Sequence, residues 1–459
     1  MRQSTSRSVH TIILYAAAAV VLLVVSGCRT MTTGPVTGMP APGRPAGSEW
    51  VVGTPITAYY HGPGGGHDRW GPLTHGMAKK LADGGFTLVW GSSMEDLDVA
   101  HAHGLRVTML ASQQLTTLVH NPPLSGAGAL DDPARRPLLD ALIEKARNHP
   151  AMYAWYVFDE PTTSEFPKIA EMVAYLRKHD PKHLAMVNLF PTYASAGALG
   201  TSGDRVTAYR EHLRQYIDAV KPDLLSWDHY PFMKTHDKDD YFLNLELIRE
   251  AAVKHGIPFL NVVQAVSVSE HSRVPTPDEG RYQAYTTLAY GGQGLSQFVY
   301  WAYSDFTGGI SEFDDDNFSP ARAVKDAAAP LTPLGEALRV IHPEFIAIAR
   351  VLQPLKSLGV YHLGKLPPGT MPLPAGAAFT VDDTDDILVG YFGASDVPTH
   401  VLVVNLDYKA ARVTMVNGPG PMEVFDAGTG KWRRASNGAR AAVSLLPGGG
   451  KLLRLRASR

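Results

Sequence analysis

Two adjacent carboxylates stand at the end of an apolar run in this chain. Residues 153–158 read YAWYVF, and Asp159, Glu160 and Pro161 follow directly. Because proline cannot donate to a β-ladder, the strand should end here and leave both carboxyl groups at its rim. Neighbouring aromatic side chains would desolvate one carboxyl group and raise its pKa, while the other keeps its charge. A protonated acid beside an ionised carboxylate is what protonation of a glycosidic oxygen requires at neutral pH. The alternative is that Asp159 caps the next helix and Glu160 forms a surface ion pair.

Polar and aromatic residues also end the other predicted strands. They are Tyr60, His61, Trp90, Gln113, Gln114, Asn188, Asp228, His229, Tyr230, Gln264, Trp301, Tyr303 and Asp305. Aromatic rings stack on the C–H faces of sugars, whereas amides and carboxylates bind hydroxyl groups, so the set is typical of a carbohydrate site. The expected catalytic residues are Glu160, Asp159 and Asp228. The expected substrate-binding residues are Tyr60, Asn188, Tyr230, Gln264 and Trp301.

The elements that must position these residues alternate between strand and helix. Eight short runs rich in β-branched or aromatic residues lie at 55–60, 86–90, 105–110, 153–158, 184–189, 223–227, 258–263 and 297–303. Helix-like segments lie between them, as at 165–179, where Ile169, Val173 and Leu176 share one face. The alternation predicts an α/β fold, a (β/α)8 TIM barrel over residues 49–352, with its active site at the carboxyl ends of the strands. A doubly wound open sheet is the rival, but no GxGxxG fingerprint follows the first strand.

The pattern changes after residue 352. Seven strand-like runs lie at 377–381, 387–392, 400–405, 412–416, 422–425, 441–445 and 451–455. Turn residues separate them and leave no room for helices. Residues 353–459 are therefore expected to form a small antiparallel β-sandwich that packs against the barrel.

The segment Asp159-Glu160-Pro161 resembles the Asn-Glu-Pro of clan A glycoside hydrolases, in which the glutamate is the acid/base. Residues 223–232 (DLLSWDHYPF) and 297–305 (QFVYWAYSD) are similar to the strand-six and strand-eight segments of those enzymes. The tail is similar to the β-domain that often follows such barrels. The resemblance implies that Glu160 is the proton donor and that Asp159 replaces the asparagine that grips the sugar 2-hydroxyl. It also implies that Tyr230 and Trp301 line the subsite.

One position departs from the pattern of that family. Its retaining enzymes carry a nucleophilic glutamate at the end of strand seven, where this chain has Gln264 in the segment 258–266 (PFLNVVQAV). An amide cannot attack carbon as a carboxylate can. Glu270 and Glu279 follow along the chain, and a loop that returned one of them would restore a carboxylate.

Three mechanisms therefore stay open. In the first, Asp228 is the base of an inverting reaction, with its carboxyl group roughly 6.5–9.5 Å from that of Glu160. In the second, Asp228 or Asp159 lies about 5 Å away and forms a covalent intermediate. In the third, which resembles the adjacent Asp-Glu of hexosaminidases, Asp159 orients a 2-acetamido group of the substrate as internal nucleophile.

Two other functions stay open besides the hydrolase. One is a non-catalytic surface glycan-binding lipoprotein on a degenerate barrel, and the other is a structural envelope lipoprotein.

The first 48 residues read as a sorting signal and a tether. Basic residues precede an apolar run at 11–25 that is short for a membrane-spanning helix, and the segment ending in Cys28 resembles a bacterial lipobox. Residues 1–28 are thus expected to be a lipoprotein signal peptide, and residues 29–48 a flexible tether. The resemblance implies lipidation of Cys28 and export to the cell envelope. Arg29 after the cysteine favours the outer membrane.

Composition excludes several other classes. The net charge of -2 provides no field to hold nucleic acid, and a single cysteine excludes an intramolecular disulfide. No HExxH motif occurs among the 18 histidines, so we expect neither a metal nor a cofactor. Asp314, Asp315 and Asp316 offer oxygen ligands that suit calcium, although solvated loop acids explain them more simply. We expect a monomer with a carbohydrate substrate that meets the membrane only through its lipid anchor.

Overall fold

The computed structural model describes residues 54–65, 71–110, 128–302, 306–312, 326–435 and 438–456. Cys28 and the tether lie outside these ranges. The expected site residues Gln113, Gln114, Tyr303 and Asp305 and the acids at Asp314–Asp316 lie outside them as well.

Eight parallel strands form the first domain, as the sequence predicted. In chain order they are β1 Ile56–Tyr60, β2 Leu88–Gly91, β3 Arg106–Met109, β4 Met152–Asp159, β5 Leu184–Leu189, β6 Leu225–His229, β7 Phe259–Gln264 and β9 Gly294–Phe298. The strands are ordered β1-β9-β7-β6-β5-β4-β3-β2. Between β2 and β1, the Thr87 amide donates to the Thr57 carbonyl at 2.9 Å, and the Thr57 amide donates to Thr87 Oγ1 at 3.0 Å. The sheet is thereby closed into a barrel.

Helices surround the barrel. They are α1 His75–Asp83, α2 Met94–Ala102, α3 Gly128–Asp131, α4 Arg136–Ala146, α5 Phe166–His179, α6 Ala196–Leu199, α7 Arg205–Val220, α8 Tyr241–His255, α9 Pro277–Ala289 and α10 Pro333–Leu352. The predicted face of α5 is the buried one, since Ile169, Val173 and Leu176 are at most 2 % exposed. No helix in the described ranges is both long and apolar enough to cross a membrane. Two short strands, β8 Val266–Ser267 and β10 Thr307–Gly308, pair above the barrel.

The second domain consists of antiparallel strands, which confirms the expected β-sandwich. They are β11 Lys356–Leu363, β12 Thr380–Val381, β13 Ile387–Gly393, β14 His400–Asn405, β15 Arg412–Asn417, β16 Met422–Asp426, β17 Lys431–Arg434, β18 Arg440–Leu445 and β19 Gly450–Leu455. Six of them form one sheet, β11-β13-β14-β19-β16-β17, and β12-β15-β18 form the other. Buried side chains from both sheets, among them Phe379, Val401, Val416 and Val443, make its core.

The sandwich packs closely against the barrel helices. Gly390 of β13 lies against α9 so tightly that a Cβ atom there would be 2.4 Å from the Ala289 carbonyl oxygen. On α8, Arg249 Nε donates to Ser357 Oγ of β11 at 2.8 Å. A third contact joins Tyr408, whose hydroxyl donates to Asp237 of the loop after β6 at 2.6 Å. The second domain thus contacts both the outer helices and a loop at the carboxyl end of the barrel.

Candidate active site

The chain turns sharply between the two adjacent carboxylates. Asp159 is the last residue of β4, and Glu160 adopts a φ of 46°, in the left-handed region. That conformation costs a non-glycine residue roughly 1–2 kcal/mol. The Glu160 amide donates to the Asn188 carbonyl at 2.8 Å, which fixes the turn against β5. Both carboxylate residues remain partly exposed, so solvent reaches them from the barrel mouth.

Asn188 of β5 connects the carboxylates of β4 and β6. Its Nδ2 donates to Asp228 Oδ1 at 2.9 Å and to Asp159 Oδ1 at 3.3 Å. Its Oδ1 accepts from Ser226 Oγ at 2.9 Å, which fixes the amide with its nitrogen toward the carboxylates. The sequence predicted that Asn188 binds substrate, and the structure adds that its amide joins the carboxylates of Asp159 and Asp228.

The carboxyl groups of Glu160 and Asp228 lie within hydrogen-bonding reach of each other. Burial raises the pKa of Glu160 well above 4.5, and the negative charges of Asp228 and Asp159 raise it further. Burial also raises the pKa of Asp228 to about 7, with a further increase from Asp159 and an opposing effect of the Asn188 amide. At neutral pH, therefore, Glu160 holds a proton while Asp228 is partly ionised.

Asp159 is surrounded by hydrogen-bond donors. The hydroxyl groups of Tyr60 and Tyr156, which contact each other, face its carboxylate, and Asn188 donates to it. Burial raises the pKa of Asp159, and these three donors act against the increase. The carboxylate is thus held in one orientation and keeps acceptor capacity for a ligand hydroxyl group.

Partly exposed aromatic rings stand beside the carboxylates. The ring of Tyr230 stacks on Phe298 of β9 with centroids 4.9 Å apart, and Phe298 lies 6.1 Å from Tyr60. Tyr193 accepts a hydrogen bond from the Tyr230 amide, and its pKa responds to the charges of Asp228 and Glu160. Such rings provide the flat apolar faces that sugars use.

Two of the expected substrate contacts have other partners in the structure. Gln264 is fully buried, and its side chain bonds to backbone groups: Oε1 accepts from the Phe232 amide at 2.9 Å, and Nε2 donates to the Val266 and Arg273 carbonyls at 3.0 and 2.9 Å. Trp301 is fully buried, with its ring edge-on to Tyr300 at 5.4 Å. None of these contacts joins either residue to the carboxylates.

Neither later glutamate supplies the missing carboxylate of strand seven. The side chain of Glu270 is 85 % exposed and pairs with His271. Glu279 is buried in the capping box of α9, where its Oε2 accepts from the Thr276 amide at 2.8 Å, and it also pairs with Arg273. Among the described residues of this part of the barrel, the carboxyl groups that a ligand could meet are therefore those of Asp159, Glu160 and Asp228.

The structure adds residues to the site that sequence reasoning missed. Tyr156 and Ser226 lie within strands and point to the same end as the carboxylates, and Tyr193 and Lys238 lie in loops after β5 and β6. The sequence carried no signal for Tyr156, because strict alternation places it and Asp159, three residues apart, on opposite faces of β4. The register shift between Tyr156 and Phe158 breaks that alternation. Among the described residues, no group of three or more His, Cys, Asp or Glu side chains is arranged to hold a metal ion.

Solved structures similar to this chain include several glycoside hydrolases. A family 5 glycoside hydrolase from Bacteroides vulgatus matches 86 % of this chain and 88 % of its own at 11 % identity and a TM-score of 0.49. A family 39 glycoside hydrolase from Bacteroides cellulosilyticus matches 89 % and 82 % at 11 % identity and a TM-score of 0.46. An endo-β-1,4-mannanase from Thermotoga petrophila matches 85 % and 97 % at 11 % identity and a TM-score of 0.40.

These similarities concern the fold and assign no activity or residue role. The barrel followed by antiparallel strands, which the sequence predicted, rests on the strand order of this structure itself. No protein-family model matches the sequence, and no curated protein matches it. The fold and the site thus define a (β/α)8 barrel with a buried carboxyl cluster at the carboxyl ends of its strands.

Proposed function

We propose that this chain is a glycoside hydrolase with Glu160 as general acid and Asp228 as the second catalytic carboxylate. The contact between these two carboxyl groups, on β4 and β6, is the observation that carries the proposal. Burial and two negative neighbours keep the proton on Glu160 at neutral pH. The pKa of Asp228, about 7, leaves this carboxyl group partly ionised at neutral pH, so the pair has an acid and a base at once.

The short separation of the pair favours a covalent mechanism. An inverting enzyme needs a water between carboxyl groups roughly 6.5–9.5 Å apart, whereas retaining enzymes bring them to about 5 Å. The direct interaction between the side chains of Glu160 and Asp228 suits the shorter spacing of the retaining enzymes better. In the proposed first step, Asp228 attacks the anomeric carbon, the glycosidic C–O bond breaks, and Glu160 gives its proton to the leaving oxygen. Water then hydrolyses the glycosyl ester, with Glu160 as base.

The remaining polar groups would bind and orient the sugar. Asn188 holds Asp159 and Asp228 in fixed positions, and Asp159 has lone pairs free for a sugar hydroxyl group. Tyr230 and Phe298 would pack against the apolar face of the ring. In this arrangement Asp159 positions the substrate, while Glu160 and Asp228 carry out bond cleavage.

Substitution of Glu160 by glutamine tests the proposal. With polysaccharide substrates, Glu160→Gln should lower kcat/KM by about 10²–10⁴-fold, because the leaving oxygen then receives no proton. Aryl glycosides with an acidic phenol should lose much less in the first step, and azide should restore turnover by replacing water in the second. The matched control is Glu171→Gln, an exposed glutamate of α5.

Three results would each count against one part of the proposal. Full activity of Glu160→Gln on polysaccharides would remove Glu160 from the mechanism. A wild-type protein that binds glycans and hydrolyses none would instead support the glycan-binding alternative. Inversion of the anomeric centre, measured by NMR of the first product, would refute the covalent step.

We also propose that the protein is lipid-anchored in the bacterial cell envelope through Cys28, with residues 29–48 as its tether. The support is the sequence of the first 28 residues alone. Metabolic labelling with a radioactive fatty acid should mark the wild-type protein and leave Cys28→Ala unlabelled. Equal labelling of the two proteins would refute the anchor.

A further inference from the structure

Lys238 lies beside the carboxyl cluster in the loop that joins β6 to α8. Its ammonium group sits 3.4 Å from the centroid of the Tyr193 ring, a close cation–π contact. The pKa of Tyr193 in turn is raised by the charges of Asp228 and Glu160, so its ring lies close to both the lysine and the catalytic pair. Lys238 also interacts electrostatically with Asp228. The lysine therefore borders the space in which a sugar bound at the pair would lie.

The ammonium group of Lys238 has no carboxylate in ion-pair contact within the part of the chain that the structure describes. Asp240 is the acid with the largest electrostatic effect on Lys238, but it already has other partners. Arg205 Nη1 donates to it at 2.9 Å, and His229 lies 3.3 Å away. Asp228 is taken by Asn188 and Glu160. Burial lowers the pKa of Lys238, which shows that the ammonium has lost part of its hydration. A cation in this situation gains from an anionic partner.

The loop that carries Lys238 is held in place. The Lys238 amide donates to the Pro231 carbonyl at 2.9 Å. The preceding residue, Asp237, accepts hydrogen bonds from Arg273 at 2.8 Å and from Tyr408 of the second domain at 2.6 Å. The ammonium group is thus presented from a fixed backbone, which lowers the entropy cost of binding a ligand.

We propose that Lys238 binds an anionic group of the substrate, a uronic acid carboxylate or a sulfate ester, and that the substrate is therefore an acidic glycan. This inference rests on the function proposed above and names the substrate class of that same site. The sugar ring would lie against Tyr230 and Phe298, with its charged substituent directed past Tyr193 to the ammonium group. A neutral glycan would offer the partly dehydrated cation no anionic partner.

Binding measurements with matched charged and neutral glycans test this assignment. The probes are oligosaccharides of pectate against those of fully methyl-esterified pectin, for a carboxylate, and of κ-carrageenan against those of agarose, for a sulfate ester. Calorimetry with the full chain should give tighter binding to the charged member of at least one pair. The variant Lys238→Gln should weaken that binding by about 10- to 100-fold, as for a lost charge-assisted hydrogen bond. Lys238→Arg should retain most of it.

A control variant distinguishes the effect of the Lys238 charge from that of another positive charge in the same loop. Lys234 is exposed in the same loop, and its amide donates to the His271 carbonyl at 2.8 Å. Lys234→Gln should therefore bind the charged probe like the wild type. Equal losses for charged and neutral glycans in Lys238→Gln would show a merely structural lysine and overturn the proposal. Absence of preference for either charged probe would overturn it as well.

The same panel distinguishes this inference from the proposed enzyme. If charged glycans bind through Lys238 and none is hydrolysed, the binding assignment stands and the hydrolase proposal fails. If neutral glycans are hydrolysed through Glu160 and Lys238→Gln changes nothing, the hydrolase stands and the acidic substrate is wrong. The carboxylate and sulfate pairs separate the two possible sources of charge.

Discussion

Replacing Asp228 by asparagine should stabilise the fold at alkaline pH. Asp228 is 3 % exposed, and its pKa is raised from 3.8 to about 7. Each tenfold change in acidity corresponds to about 1.4 kcal/mol, so ionising this carboxyl group in the folded state costs about 4 kcal/mol relative to the unfolded chain. The sign follows from proton binding: between pH 3.8 and about 7 the folded state holds the proton more tightly, and stability falls as the pH rises. Asparagine carries no charge and still offers Asn188 an acceptor oxygen.

Urea unfolding of wild type and Asp228→Asn at pH 4 and pH 8 checks this prediction. At pH 8 the variant should be more stable by up to about 4 kcal/mol. At pH 4 the difference should shrink to below about 1 kcal/mol, because the folded carboxyl group is then neutral and the unfolded one is only about half ionised. Asp239→Asn, an exposed carboxylate in the same loop, is the control and should show no such pH dependence. The reasoning is refuted if the gap between wild type and Asp228→Asn is the same at both pH values, or if the variant is the less stable protein at pH 8.

Three further predictions concern pH, a buried amide and the second domain. The kcat/KM of the wild type should fall as the pH drops through about 7, because Asp228 then takes up a proton; a flat profile from pH 5 to 8 would contradict its role. Gln264→Leu should lower the free energy of unfolding by about 2–4 kcal/mol in urea titrations, because it leaves buried backbone groups of two loops unpaired, and a loss below about 1 kcal/mol would contradict this. Tyr408→Phe keeps the ring and removes the hydrogen bond to Asp237, so Michaelis kinetics should show KM raised several-fold with kcat little changed; unchanged KM would show that the second domain leaves the loop unaffected.

The barrel was predictable because its strands are buried runs separated by helices of ordinary length. Two strands of the second domain were not. β17 reads KWRR, and three charged residues at a sheet edge give no apolar alternation. β11 contains a register shift at Gly359, which interrupts the period of two by which strands are recognised. The eighth barrel strand spans Gly294–Phe298, earlier than the predicted 297–303. Its start was missed because Gly294, Ser296 and Gln297 are not the apolar or β-branched residues by which strands are recognised.

Part of the candidate site could also be predicted, since parallel strands must bring their carboxyl ends together. Asp159, Asn188 and Asp228 meet for that reason. The same rule selected Gln264, whose partners are backbone groups of loops. Nearly every residue carries the same backbone groups, so the sequence does not show which of them a side chain will bind. It therefore cannot distinguish a glutamine that binds loop backbones from one that binds a sugar. Lys238 was missed because a loop residue acquires its neighbours only when the loop is folded.

The bond from Tyr408 to Asp237 has a consequence for how this gene can change. The barrel and the strands after residue 353 meet through a hydrogen bond beneath the loop that carries Lys238 and through the close approach of Gly390 to Ala289. Exchange of the tail for that of a distant relative would break both contacts at once. The two halves should therefore be inherited as a unit, and a truncated barrel expressed alone would not be a faithful substitute for the whole protein.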